Sequence, residues 1–235
     1  KEKENNTNYI TPKISFRLNP SDMKNYSSKS RHISVDNIFN INRLGIADSY
    51  ESGKSLTLGV DFKKEDNKDT EKYFEAKLAT VFKDVKNDKI PVTSSLNRTN
   101  SNLFGSIENN FSEFFSLKYD FTIDNDINTF ENNSLEAEFT VNNFVTTFNF
   151  NEKNGETGDS NTLENTTKII FDENNSFSFN TRRNRKISLT EYYDLVYEYQ
   201  NDCLTAGIKY RKTYYKDRDL QPKEDLFFTI TLFPL

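Results

Sequence analysis

Apolar and polar residues alternate one by one in short runs along the whole chain. In 55–62, Leu56, Leu58, Val60 and Phe62 fall on one side, and Ser55, Thr57, Gly59 and Asp61 on the other. In 115–123, Phe115, Leu117, Tyr119, Phe121 and Ile123 oppose Ser116, Lys118, Asp120 and Thr122. Leu135, Ala137, Phe139 and Val141 continue the pattern, followed by Phe144, Phe148 and Phe150. It returns in Tyr193, Leu195, Tyr197 and Tyr199, in Leu204, Ala206, Ile208 and Tyr210, and in Leu226, Phe228, Ile230 and Leu232, which oppose Phe227, Thr229, Thr231 and Phe233. A period of two marks a β-strand whose two faces meet different surroundings. About a dozen such segments are expected, each near the roughly 9–11 residues with which a tilted strand crosses a bilayer. No stretch has a helical period, and no run of about 18 apolar residues is present to form a transmembrane helix.

The connections are rich in Asn, Asp, Lys and Ser, as in 63–72 and 151–162, and read as turns and solvated loops. The longest irregular stretch, about 19–52, exceeds a tight turn. Loops of that length tend to be functional or disordered, and in outer-membrane barrels the long loops are external. Lys118, Asp120, Glu136, Glu138, Glu198, Lys209 and Arg211 all occupy the polar positions. A Lys or Arg at mid-bilayer on a lipid face costs about 2–4 kcal/mol. The alternation assigns all of these charges to the opposite, lumenal face and so pins the register. A soluble β-sandwich or a β-rich fibre also alternates. Against both stand the length of the runs, the scarcity of small apolar residues and the heavy use of Phe and Tyr.

Composition sharpens this picture. Only 34% of the 235 residues are hydrophobic, little for a water-soluble core, yet 14% are aromatic, too many for a disordered chain. Few, large apolar residues suit an all-β, antiparallel transmembrane barrel with a lipid-facing surface and a wet lumen. Averaging over alternating strands hides them, so a mean hydropathy of -0.81 does not argue against a membrane. The net charge of -5 does not favour nucleic acid as a partner. One cysteine, Cys203, excludes a disulfide within the chain and leaves open a bridge to another segment. With a single histidine, His32, and 7 glycines, neither a metal cluster, a Cys-His pair, a Ser-His-Asp set nor a phosphate-cradling loop is expected. The chain therefore reads as a non-enzyme without cofactor. It opens at Lys1 with neither Met nor signal peptide, and reads as a fragment of an exported protein.

Several residues invite a functional reading. Arg182, Arg183, Arg185 and Lys186 form a basic cluster. It suits either the phosphates of a lipopolysaccharide (LPS) head group or an ordinary solvated loop or lumenal patch. Tyr192, Tyr193, Tyr197, Tyr199, Tyr210, Tyr214 and Tyr215 suit aromatic girdles at the membrane interfaces, with a sugar-stacking surface as the alternative. Trp is absent, so Tyr and Phe must supply the girdle. Pro234, after the last alternating run, reads as a strand terminus, although a proline there would also weaken pairing at a seam.

Two stretches carry a family resemblance. The run 192–235 has a strand ending in the turn Asn201-Asp202-Cys203, then an aromatic strand, a short polar loop and a final apolar strand. The run 37–62 has Asn42-Arg43, the acidic Asp48 and Glu51-Ser52-Gly53 before a strand, and 11–25 is a strand and loop preceding it. These resemble the LPS-assembly barrel family, LptD, also called organic solvent tolerance protein. The resemblance implies an outer-membrane translocon that inserts LPS into the outer leaflet through a lateral opening between its first and last strands. It implies a periplasmic domain upstream, a plug lipoprotein inside the barrel, and a periplasmic bridge that supplies LPS. Residues 1–235 would then be the C-terminal part of one barrel domain, unable to close alone. Cysteine at this turn pairs, in the family, with cysteine of the periplasmic domain, and an oxidising periplasm allows it. Where the family often has adjacent cysteines, this chain has Asp202-Cys203. The residues alone also fit an unpaired cysteine at a strand end. Another outer-membrane channel, porin-like, is the alternative function, and a soluble or surface β-rich binding protein the third.

Overall fold

The computed structural model describes residues 5–155, 158–215 and 221–232. Its twelve strands are β1 (Asn6–Asn19), β2 (Gly53–Asp66), β3 (Tyr73–Lys83), β4 (Leu103–Ser112), β5 (Phe115–Ile123), β6 (Phe130–Val141), β7 (Phe144–Lys153), β8 (Ser160–Ile170), β9 (Asn175–Asn184), β10 (Leu189–Gln200), β11 (Leu204–Thr213) and β12 (Lys223–Leu232). They follow one another in sequence order in one sheet. The expected all-β, antiparallel fold of about a dozen strands is observed. Strand lengths run from 9 residues in β5 to 14 in β1 and β2. Phe233 and Pro234 lie outside the described residues.

By packing, the chain forms two compact units, one holding β1–β4 and the other β8–β12, with β5, β6 and β7 contributing to both. In the first unit, β2 pairs with β1 and β3 so that Leu58 stands beside Ile14 and Thr80, and Val60 beside Pro12 and Leu78. Leu56, Leu58, Val60, Leu78 and Phe82 are exposed on this face, as are Ile10, Ile14, Phe16 and Leu18 of β1. The other face holds Ser55, Thr57, Ala79 and Val81, all buried. The alternation of 55–62 is thus realised, with the apolar set outward.

What buries the inner face is the chain itself. Met23, Ile33, Val35, Ile38, Leu44 and Ile46 from the connection 20–52, and Ile90 and Leu96 from the connection 84–102, close over Ala79, Val81 and Phe104. This is an apolar core of the soluble-protein kind, built on one face of a sheet. Two main-chain bonds anchor it: Tyr26 N–H donates to Lys89 O (2.8 Å), and Asn87 N–H to Asn97 O (2.9 Å). The Asn42 side chain ties its own loop, accepting from Ile46 N–H and donating to Ile46 O. Gly59 makes room for it, since a Cβ there would lie 2.7 Å from the Phe39 ring and 3.0 Å from Leu78 O. The long irregular stretch read at about 19–52 thus packs inward against the sheet.

In the second unit, β9, β10 and β11 align Phe179 with Leu195, and Leu195 with Tyr210. Leu163, Ile169, Leu195, Tyr197 and Ile208 are exposed. Opposite them lie Arg182, Tyr192, Asp194, Lys209 and Arg211. Among the described residues no hydrophobic side chain of this unit is fully buried. Midway along this outward face lies a polar cluster. Thr146 and Thr167 hydroxyls meet at 2.8 Å, and Asn165 donates to Thr146 (3.0 Å) and accepts from Thr167 (3.2 Å). The three satisfy one another.

Two connections are shorter than the sequence suggests. Residues 63–66 of the polar run 63–72 belong to β2, where Lys63 is ion-paired with Glu65 at 2.5 Å. Of 151–162, residues 151–153 continue β7 and 160–162 begin β8. Polar composition gives no boundary where a strand's own polar face runs into its turn.

Candidate functional site

The inner faces gather the polar chemistry. In the first unit, the connection 20–52 delivers Arg43 and Glu51 onto β2 and β3. Arg43 has no exposed side-chain surface. Its Nε and Nη2 grip the two Glu51 oxygens at 2.7 and 2.8 Å. Nη1 donates to Thr57 Oγ1 (3.0 Å) and Nη2 also to Ser55 Oγ (3.1 Å). Lys83 Nζ reaches the same carboxylate at 2.9 Å. A fork-to-fork pair with its remaining donors satisfied is the form in which a buried charge is tolerated. Burial pushes the Glu51 carboxyl up, but Arg43 and Lys83 outweigh it and hold the group below its ordinary value of 4.5.

Arg17, on the inner face of β1, donates to the carbonyls of Ile41 (2.7 Å) and Asn40, so a third strand grips the same loop. Beside it a cleft of about 360 Å³ is lined by Arg17, Leu18, Asn19, Ile41, Tyr50 and Glu51. Farther along the inner face, Lys77 meets Glu75 (2.8 Å) and Asp36 (3.8 Å), while Lys118 meets Asp36 and Asp120, each at 3.7 Å. His32 lies in the loop with its side chain exposed at the surface. Partial desolvation by its neighbours and the nearby Lys153 charge hold its imidazole below the usual 6.5, so it is neutral at pH 7.

The second unit repeats the theme without a loop. Asp194, whose side chain is 3% exposed, takes Arg211 at 2.6 and 2.7 Å and Lys209 at 2.9 Å. The Arg211 guanidinium lies 4.5 Å from the centroid of the Tyr192 ring.

The basic cluster read from the sequence is divided by the strand. Arg182 points inward, pairing with Glu191 (2.9 Å) and Glu164 (3.4 Å). Arg183, its neighbour on β9, is exposed on the other face, beside Leu163 and Thr190. Arg185 and Lys186 are exposed in the following turn, the former with its guanidinium 5.4 Å from the Phe150 ring centroid. Four adjacent cations therefore do not form one site. Arg43 and Glu51 both lie in the 37–62 stretch that carries the family resemblance, but sequence reasoning missed their contact with each other and with Lys83, because the path of the loop and the position of a residue on β3 are not encoded in that motif.

Cys203 lies half-buried and free in the turn between β10 and β11. Asn201 shapes this turn, its side-chain oxygen accepting from the N–H groups of Cys203 (3.0 Å) and Leu204 (2.9 Å). Among the described residues no group of three or more His, Cys, Asp or Glu is arranged to hold a metal ion. The inner faces offer paired charges, amides and hydroxyls of the kind that meet sugars and phosphates.

The sequence profile of LptD, LPS transport system D, matches residues 1–185. The chain belongs to the LptD family. The match spans the loop cluster and every strand through β9, and it stops short of Cys203. No curated protein matches the chain. Membership assigns the chain to LPS transport, in a family of outer-membrane transport and assembly proteins with LPS as substrate. The twelve antiparallel strands are consistent with the barrel of an LptD protein.

Proposed function

We propose that this chain is the C-terminal portion of an outer-membrane barrel that inserts LPS into the outer leaflet. The observation that carries the reading is the LptD match over a chain whose strands present apolar residues outward and paired charges inward. The outward Leu, Ile, Val and Phe residues meet lipid. The inward Asp194–Arg211 and Lys77–Glu75 pairs line a wet passage for sugars and phosphates while acyl chains leave sideways. The driving force comes from the periplasmic bridge that feeds the family's complexes. A plug lipoprotein fills the lumen, and residues 1–235 form part of one barrel domain with it.

Topology supports an orientation. In a sequential antiparallel sheet, connections alternate between the two ends of the strands. Those leaving odd-numbered strands include 20–52 and 84–102, whereas those leaving even-numbered strands are short, such as 113–114, 142–143 and 201–203. Outer-membrane barrels have short periplasmic turns and longer external loops. Cys203 is then periplasmic, where it bridges to a cysteine of the family's periplasmic domain. On a non-reducing gel, the full-length protein should migrate differently with Cys203 than with Cys203→Ser; identical migration refutes the bridge. For transport, depleting the protein should leave newly made LPS inaccessible to a surface label. Unchanged surface labelling would overturn the reading.

A further inference from the structure

The division of the basic cluster leaves two guanidiniums on the outward face. We propose that Arg183 and Arg185 form a site for the phosphate of a lipid head group in the leaflet at the 185–188 end of the strands. The inference rests on the outward face being the lipid face, as argued above.

Three observations converge. First, Arg182 is occupied: Glu191 and Glu164 hold it on the inner face, so it does not share the site. Second, the outward face of this unit carries a band of rings just below Arg183. Tyr193 lies 6.5 Å from Phe179, 6.4 Å from Tyr210 and 6.0 Å from Tyr214, centroid to centroid. Tyr193 stands beside Thr181, and Arg183 beside Thr190, so the arginine is two residues nearer the turn, about 7 Å along the strand. Aromatic bands mark the level where hydrocarbon gives way to head groups. A cation one step beyond such a band sits at phosphate depth.

Third, two nearby carboxylates are engaged elsewhere. Lys212, also outward, is neutralised by Glu224 at 2.8 Å. Glu191, the carboxylate nearest in sequence, is turned inward to Arg182 and Asn184. Arg185 lies over the Phe150 ring, which holds its guanidinium against the outward face while its edge donors stay open to a ligand. Two planar guanidiniums suit a phosphate monoester, each able to give two parallel N–H donors. Leu163, exposed beside Arg183, would meet the first carbons of an acyl chain.

The test uses the full-length protein assembled in vesicles, with a photo-crosslinking residue at Ile187, exposed in the same turn. The probe is bisphosphorylated lipid A, compared with phosphatase-treated lipid A, with inorganic phosphate as competitor. Cross-linking to the phosphorylated lipid should fall roughly thirtyfold in R183A/R185A. It should fall less in R183K/R185K, which keeps the charge but loses the paired donors, and should persist in R182A, whose partners are carboxylates. Phosphatase-treated lipid should cross-link as weakly as the double alanine variant. Equal cross-linking by wild type and R183A/R185A, or by both lipids, overturns the proposal. Full competition by millimolar inorganic phosphate would also overturn it, because the site would then take a free anion rather than a head group. Surface delivery of LPS should be unchanged in R183A/R185A. Its loss would mean that the pair lies on the transport route instead. A lipid-quenching measurement at Phe179, described below, separates the two failures: quenching without arginine-dependent cross-linking refutes this site alone, whereas absent quenching refutes the lipid face itself.

Discussion

The two units solve one problem in different ways. Each presents strands with an inner face opposite the apolar outward side. In the first, the chain fills that face with its own connections, and Ile33, Ile38, Ile90 and Leu96 lose essentially all contact with solvent. In the second, the inner face stays polar, and Asp194 pairs within the sheet with Arg211 and Lys209, and Arg182 with Glu191 and Glu164. An alternating strand therefore does not specify what its polar face meets. A folded loop can make part of that face a dry core, and paired side chains can leave another part wet.

The largest expected effect tests the loop cluster. Arg43→Ala leaves Glu51 and Lys83 buried with one partner lost, and should destabilise the first unit by about 3–5 kcal/mol. The readout is protease cleavage within 20–52 in the otherwise assembled barrel; continued resistance would mean that the loop is held by packing alone. Ile38→Ala removes a fully buried side chain and should cost about 2–5 kcal/mol in a urea titration followed at the same loop. The matching change in the second unit, Ser178→Leu on the inner face of β9, should stay within about 0.5 kcal/mol, since no packed core is there to disturb. Similar losses from both would erase the contrast between the units.

Much of this was legible in the sequence, and the misses have physical causes. Strand β2 announces itself because its outward residues are Leu56, Leu58, Val60 and Phe62 while Ser55, Thr57, Gly59 and Asp61 turn inward. Strand β3 is harder to read, because Ala79 and Val81 turn inward against the loop core and blur the polar side of the pattern. Strand β8 is blurred from the other side, because Asn165 and Thr167 sit on its outward face within a self-satisfied polar cluster. The basic cluster was visible, but its division by β9 depends on alternation continuing through Arg182 and Arg183. The Arg43–Glu51–Lys83 contact depends on the path of a loop, which periodicity does not encode.

A smaller effect comes from pH. Glu51 has its carboxyl held below 4.5 in the folded loop, so its contribution is fully present above 4.5 and is lost as pH falls through the lower, folded value. Acidification below about 4.5 should therefore loosen 20–52, seen as faster proteolysis by an acid-active protease, with the effect diminished in Glu51→Gln. An equal acid response in Glu51→Gln would assign the loosening to other carboxylates.

The account rests most heavily on which face meets lipid, and one measurement addresses it. In the full-length protein reconstituted with brominated lipids, a fluorophore attached through cysteine at Phe179 is compared with one at Ser178, with Cys203 replaced by serine. Quenching of the Phe179 label and not of the Ser178 label is the predicted result. Equal quenching at both positions, or quenching at Ser178 alone, would contradict the assignment of the apolar face to the membrane.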